Sequence, residues 1–339
     1  MRYRSIPSAG VSLSEIGFGC GGTAGLMVRG SSEEQRSVIA RALEEGINYF
    51  DVAPDYGNGV AEENLGRVLR ELGVRPSITT KVEIRAADLA DCAAHVERST
   101  EASLRRLGVD QVDFLQIHNA PVRRRPDQPP DAYAHLWLDQ YLGPNGALEG
   151  LRRVQRDGKT RHVGFIVRGG DVDAVSEVLN TGALQLINVS YHLLNPTAGQ
   201  PAPAGLQVDA DWGQVIDQAQ RLGVGVAVYS PLANGLLTEA VLRGVDAHPL
   251  SGSRWPERAG YADLARRVQS LSFLSQPGVE SLSQAAYRFI LMHPGVTSVL
   301  GGFSAASHLE DALAADASGP LAEADLTRLD AVWRANFGA

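Results

Sequence analysis

The feature that most limits the fold is an alternation. Short apolar runs recur along the chain, and amphipathic helical stretches separate them. Residues 16–19 read as a strand and 33–45 as a helix, 49–51 as a strand and 62–72 as a helix, 78–81 as a strand and 88–107 as a helix. The run 112–117 (VDFLQI) is apolar throughout most of its length, as in a strand covered on both faces. Helix 148–156, strand 162–166, helix 172–179, strand 186–189, helix 212–222 and strand 225–228 continue the pattern. Helix 281–292, strand 298–301 and helix 307–314 complete it. Such alternation predicts parallel βα units. Eight in series predict an α/β fold of the (β/α)8 TIM-barrel type, with residues 1–339 as a single domain.

Local signals agree. Gly46, Gly73, Gly108, Gly158 and Gly223 each follow a helical stretch, where a left-handed cap favours glycine. Ser31 and Ser32 precede the first helix and suit its N-terminus. Residues 3–6 and 11–13 flank Ser8-Ala9-Gly10 and predict an N-terminal β-hairpin that closes the barrel bottom. Two connections are long, 119–147 after strand four and 232–280 after strand seven, and a tail over 321–337 reads as a C-terminal helix. The rival is an open doubly wound sheet. It expects a glycine-rich phosphate turn with an acid about 20 residues on. Gly17-Phe18-Gly19-Cys20-Gly21-Gly22 fits that pattern only loosely.

Charge narrows the partners. Lys and Arg number 31 against 39 Asp and Glu, a net −8, so a nucleic-acid partner is not expected. The basic run Arg123-Arg124-Arg125 reads as a solvated loop. Cys20 and Cys92 are too few for a disulfide framework or a zinc site, which suits a cytoplasmic protein. The N-terminus lacks a signal-peptide core, and no run is long enough to span a membrane.

In a barrel, chemistry gathers where strands end. Strand two ends in Asp51, with Tyr56 in the loop beyond; strand three ends in Lys81 and strand four in His118. Each residue has a bland use as cap, loop aromatic, surface charge or core histidine. Together on one rim they form a catalytic set. Tyr56 is then a proton donor whose pKa a cation, Lys81, would lower. Asp51 would keep the lysine charged and oriented, and His118 would donate to a substrate oxygen. A Gly-x-Ser-x-Gly elbow and His-x-x-His or Cys-x-x-Cys spacings are absent, so neither acyl transfer nor metal ligation is indicated.

These residues carry a resemblance. Phe50-Asp51-Val52-Ala53-Pro54-Asp55-Tyr56-Gly57 with residues 62–69 (EENLGRVL) resembles the signature of the aldo-keto reductases. So do Thr80-Lys81-Val82, residues 113–119 (DFLQIHN), residues 158–164 (GKTRHVG) and Tyr229-Ser230-Pro231-Leu232. The resemblance runs from about Tyr3 to Ala314. It implies a barrel that moves a hydride between a nicotinamide dinucleotide and a carbonyl. The catalytic tetrad would be Asp51, Tyr56, Lys81 and His118, with Tyr56 as general acid in reduction and base in oxidation.

The same resemblance places the dinucleotide. The family holds the carboxamide with a Ser-Asn pair and a Gln; here Ile166-Val167 and Asn188 stand in those positions, and His192 replaces a frequent Asn. Asn188 is then a carboxamide ligand, and Tyr229 stacks on the nicotinamide. Ser230 and Leu232 follow Tyr229 in that motif, and Leu236 and Leu237 would cover the pyrophosphate. Gly302, Phe303, Ser304, His308 and Asp311 would surround the adenosine end. That stretch carries no Lys or Arg for a 2′-phosphate. NADP(H) remains the first expectation from the family, and the missing cation keeps NAD(H) open. An Arg at Phe303 is expected to shift preference toward NADPH.

The substrate is expected to be a small carbonyl compound, walled by Tyr133, Trp137 and Tyr141 in one long loop, Trp255 in the other, and residues 19–27. Alternatives are NAD-dependent oxidation of a sugar or alcohol, or a dinucleotide-binding regulatory subunit with little turnover. A monomer or small homo-oligomer is expected.

Overall fold

The computed structural model describes residues 1–22, 25–123, 135–168, 171–244, 258–276 and 280–338. Twelve strands occur among them: β1 (Tyr3–Ile6), β2 (Val11–Ser14), β3 (Ile16–Gly19), β4 (Tyr49–Asp51), β5 (Ser77–Val82), β6 (Val112–Ile117), β7 (Pro121–Val122), β8 (Leu136–Trp137), β9 (Thr160–Ile166), β10 (Leu186–Ser190), β11 (Gly225–Tyr229) and β12 (Ser298–Gly302). Eight close into a parallel barrel in the order β3-β4-β5-β6-β9-β10-β11-β12, with β12 returning to β3. These eight are the predicted barrel strands. Each is buried along most of its length, between barrel interior and helices, which is why they read as apolar runs rather than as clean alternation.

Helix ends follow local chemistry. Ser31 caps the helix Ser32–Glu44 in a reciprocal box with Glu34. The five predicted cap glycines all take positive φ, from 67° to 87°. Two boundaries differ from expectation. The helix expected over 88–107 starts at Cys92, where the Asp91 side chain caps it by accepting from Ala94 N; Ala86–Asp88 form a separate turn before it. The helix expected over 212–222 is Val215–Arg221, because Gly213 and Gln214 are left-handed and cannot begin a right-handed helix. In β9, Gly164 is required by close approach. A Cβ there would lie 1.9 Å from the Leu186 carbonyl oxygen of β10.

The predicted hairpin is β1–β2. It plugs the N-terminal end: Ile6 and Leu13 pack with the interior residues Tyr49, Phe114, Leu186, Ala227 and Leu300. Arg4 fastens it, donating to the carbonyls of Leu291, His293 and Val296 at 2.6–2.8 Å and to Glu15 at 2.6 Å. The C-terminal helix Glu323–Arg334 docks through Trp333, whose indole N–H donates to the Leu193 carbonyl at 2.8 Å.

The described parts of the two long connections hold β7 and β8, the helices Leu138–Leu142, Glu239–Leu242 and Arg258–Gln269, and short turns. Arg123 is exposed and pairs with Asp173 at 2.7 Å; Arg124 and Arg125 lie outside the described residues.

A staple sits between the helix Val60–Leu72 and β5. Glu62 is fully buried; its Oε1 accepts from Thr80 Oγ1 at 2.5 Å and its Oε2 from Arg106 Nε at 2.6 Å. Glu62→Ala removes both bonds and leaves a buried hydroxyl and a part-buried guanidinium without them. The expected loss is about 2 kcal/mol, read as a lower denaturant midpoint. An unchanged midpoint would show that water replaces the carboxylate.

Candidate active site

Side chains alternate between the barrel interior and the helices along each strand. Tyr49 of β4 points inward and accepts from Thr79 Oγ1 of β5 at 3.0 Å. Two residues on, Asp51 and Lys81 point inward together, one layer nearer the C-terminal mouth. Lys81 Nζ donates to Asp51 Oδ1 at 2.5 Å and to the Val52 carbonyl at 2.9 Å. Both side chains are almost fully buried, so the pair is closed from solvent. Asp51 keeps a second partner: Asn188 Nδ2 of β10 donates to Oδ2 at 2.9 Å. Gln116 Nε2 of β6 in turn donates to Asn188 Oδ1 at 2.9 Å. This layer thus runs Lys81–Asp51–Asn188–Gln116 across the barrel, and Gln116 Oε1 ends it as a buried acceptor with no hydrogen bond among the described residues.

The next layer is the mouth. Tyr56, in the loop after β4, is half-buried, with Lys81 Nζ 5.1 Å from its ring centroid. Its ring meets His118, just past β6, edge to face at 6.1 Å. All four tetrad residues therefore converge. His118 Nδ1 faces Asp55 Oδ1 at 3.3 Å, and His118 Nε2 faces Arg168 Nη2 at 3.5 Å. Arg168, two residues beyond the end of β9, was not singled out in the sequence. The signal was its spacing from Ile166, which keeps the parity of the inward face. Asp55 and Gln116 were also passed over, although both lie inside quoted motifs.

Electrostatics correct one expectation. The Tyr56 phenol is held well above its usual pKa, by burial first and then by Asp51 and Asp55. Lys81 does not reverse this, because it is already paired with Asp51. Arg168 is the cation that most opposes the rise. His118 is held below its ordinary value, chiefly by burial. Near neutral pH the mouth thus contains a protonated phenol and a neutral imidazole.

The expected dinucleotide residues separate into two groups. Tyr229 is half-buried at the mouth and its hydroxyl donates to the Val167 carbonyl at 3.3 Å. Ser230 is left-handed, with φ 52°, and its hydroxyl donates to Asn234 Oδ1 at 3.3 Å. Leu232 is half-buried. Gly302, Ser304 and His308 are exposed after β12, with Ser304 Oγ 3.0 Å from His308 Nδ1. They lead into the helix Ala306–Ser318, whose N-terminus has no side-chain cap. Asp311 is half-buried and accepts from Ser283 Oγ at 3.1 Å and Gln284 Nε2 at 3.3 Å.

Other expected contacts are occupied elsewhere. The amide of Asn188 donates to Asp51 and accepts from Gln116 within the barrel. Leu236 and Leu237 are core residues. Phe303 is 1% exposed and packs edge-on against Phe18 at 5.1 Å. An Arg at Phe303 would bury a charge in the core, so it cannot test cofactor preference. His192 Nδ1 accepts from Asn195 N at 3.2 Å, and burial pushes its pKa down to about 4. Of the expected walls, Tyr141 is buried and donates to the Asn119 carbonyl at 2.5 Å, so it is a core residue. Trp137 is 45% exposed. Within residues 19–27, Leu26 and Met27 are buried. Tyr133, Trp255 and the pair Thr23-Ala24 lie outside the described residues.

An aromatic face at the mouth and an uncapped helix N-terminus beyond β12 fit a dinucleotide: one offers a π surface, the other unpaired backbone N–H groups for phosphate. Among the described residues no group of His, Cys, Asp and Glu is placed to hold a metal ion.

The fold is a closed (β/α)8 barrel, with the candidate site at the C-terminal end of its strands. Residues 15–334 match the model of the Aldo/keto reductase family, and the chain belongs to that family. It is an NAD(P)-dependent oxidoreductase. Among its relatives is L-galactose dehydrogenase of Arabidopsis thaliana, 27% identical over 93% of this chain and 88% of the relative. L-glyceraldehyde 3-phosphate reductase of Escherichia coli (strain K12) is 26% identical over 92% and 86%. A probable voltage-gated potassium channel subunit beta of Arabidopsis thaliana is 26% identical over 92% and 90%. The holo form of an aldo-keto reductase from Bacillus halodurans shares the fold with TM-score 0.71 at 22% identity, over 99% of this chain and 97% of that one. Among the described residues no helix is long and apolar enough to cross a membrane.

Proposed function

We propose that this chain, as one barrel domain, transfers a hydride between a nicotinamide dinucleotide and the carbonyl carbon of a small aldehyde or ketone, with Tyr56 carrying the proton. The convergence of Tyr56, Lys81, Asp51 and His118 at one barrel mouth carries this reading. When bound, the reduced dinucleotide supplies the hydride. The protein does the rest. Tyr56 is protonated near neutral pH, as a general acid must be, and gives its proton to the substrate oxygen; in oxidation it takes the proton back. Lys81 holds a fixed positive charge beneath the phenol, and Asp51 and Asn188 hold the lysine. The half-buried mouth limits water around these groups. Loss of turnover in Tyr56→Phe, with dinucleotide binding retained, is the test.

Tyr229, the Val167 backbone and Ser230 are assigned to the nicotinamide end, with Leu232 beside them. Gly302, Ser304, His308 and the helix N-terminus at Ala306 are assigned to the adenosine end. From Gly301 to Asp311 there is no Lys or Arg. The nearby Arg41 is engaged by Glu45 at 2.7 Å and Glu310 at 3.1 Å. This favours NAD(H) over NADP(H), reversing the order expected from the family alone. It also supports the second reading, oxidation of a sugar or alcohol; the relatives' names include both a dehydrogenase and a reductase. Ser304→Arg, on the exposed rim, is expected to tighten NADPH about tenfold relative to NADH in fluorescence titrations. No relative gain would place the 2′-hydroxyl away from this rim.

A further inference from the structure

The buried row beneath the mouth extends past the lysine and its carboxylate. Gln116 is fully buried on β6, where its register partners are Lys81 on β5 and Gly164 on β9. Gly164 has no side chain, and a Cβ there would lie 3.3 Å from Gln116 Cγ. The glutamine therefore crosses in front of β9 and meets Asn188 on β10, with Nε2 2.9 Å from Oδ1. Asn188 is buried too, and its Nδ2 donates to Asp51 Oδ2 at 2.9 Å.

The order of donors in this row has one solution. A carboxylate only accepts, so Asn188 must present its NH2 group to Asp51. Its carbonyl oxygen then faces Gln116, which must present an NH2 group of its own. Reversing either amide would set two oxygens against each other. Gln116 thus clamps the far end of the amide that holds Asp51. Asp51 Oδ1 takes one N–H of Lys81, and the Val52 carbonyl takes another. The direction of the ammonium beneath Tyr56 follows from where this carboxylate stands. Gln116 keeps its place at a cost, because its Oε1 is a buried acceptor with no hydrogen bond among the described residues. A Met of similar length would fill the space without that unmet acceptor, so filling space is the poorer account of this glutamine.

We propose that Gln116 is a positioning residue for the proton transfer: through Asn188 it holds Asp51, and so the Lys81 ammonium, in place beneath Tyr56. This rests on the proposed hydride transfer and deepens it. Gln116 acts on the ammonium through three hydrogen bonds in series. Without its N–H group, Asn188 is held at one end only, and the carboxylate and ammonium can shift together. A displacement of about 1 Å beneath a reacting group is enough to slow a reaction.

The test uses the full chain with Gln116→Met, Asn188→Leu, those two combined, Gln116→Glu and Tyr56→Phe, measuring kcat and dinucleotide Kd. Gln116→Met is expected to lower kcat about tenfold and leave the dinucleotide Kd unchanged. Asn188→Leu should lower kcat at least as much. The double variant should be no slower than Asn188→Leu, because a series broken once has nothing further to lose. Gln116→Glu adds a readout that packing does not move. When protonated, the new carboxyl group donates to Asn188 as the amide does. When ionised it only accepts, and it draws the Asn188 NH2 group away from Asp51. Around it stand Lys81 of β5, Asp51 of β4, His118 toward the mouth and, one layer below on β9, His162 against Phe114. Burial and Asp51 favour the protonated form, and Lys81 opposes them. The kcat of this variant relative to wild type should therefore be near one at low pH and fall as pH rises.

A kcat for Gln116→Met within about twofold of wild type overturns the proposal. So do losses that simply add in the double variant, or a Gln116→Glu ratio that stays flat with pH. A weakened dinucleotide Kd with unchanged kcat also overturns it, and assigns the amide to the cofactor. If Gln116→Met does not fold, the Gln116→Glu ratio decides alone. Activity surviving in Tyr56→Phe would overturn the proton reading itself. An inactive Tyr56→Phe beside a fully active Gln116→Met would overturn the role of Gln116 alone.

Discussion

Tyr56→Phe is expected to lower kcat by about a thousandfold, within the range that one positioned acid or base supplies. The substitution removes one oxygen and keeps the ring. Its edge-to-face contact with His118 and its place above Lys81 should survive, so the fold and the dinucleotide Kd should not change. The loss should occur in both directions, since the same phenol gives the proton in reduction and receives it in oxidation. Steady-state kinetics with an aldehyde, ketone and sugar panel, beside fluorescence titration of NADH, separates chemistry from binding. A variant that turns over near the wild-type rate would remove Tyr56 from the mechanism.

The second large effect concerns the layer below. Lys81→Met leaves the Asp51 carboxylate buried with Asn188 as its remaining side-chain partner. Removing one member of a buried pair is expected to destabilise by about 3–5 kcal/mol. Unfolding by denaturant should show this directly. Adding Asp51→Asn to Lys81→Met should recover much of the loss, because the stranded charge goes with it. Activity should not recover, because the fixed charge beneath Tyr56 is still missing. This pattern distinguishes a charge defect from a packing defect. If the double variant were less stable than the single one, the pair would be holding the barrel chiefly by shape.

Much of this was legible along the chain. The eight strands, the hairpin and the five cap glycines follow from local rules: apolar runs, turn residues and left-handed positions. The rim residues were legible because a strand end is a place in a barrel, so Asp51, Lys81 and His118 share one face once the fold is assigned. Parity extends beyond the strand ends. Gln116 lies two residues before His118, and Arg168 two after Ile166; both follow the inward face. What periodicity does not contain is the partner across the barrel. Nothing near Asn188 in sequence shows that its amide meets Asp51, 137 positions away. The same holds for Phe303, which reads as a loop residue in a plausible binding stretch until Phe18 covers it.

The sequence by itself determined that this chain is a βα barrel of the aldo/keto reductase type, with a phenol, an ammonium, a carboxylate and an imidazole at strand ends. Periodicity and caps are local, and eight repeated units have few ways to close. Only the tertiary structure decided how those groups are charged and shared. Lys81 is paired with Asp51 beneath Tyr56, Asn188 belongs to that pair, and Arg168 is the cation facing His118. Burial and pairing set the protonation of a side chain, and both depend on neighbours that the chain brings together only when the barrel closes.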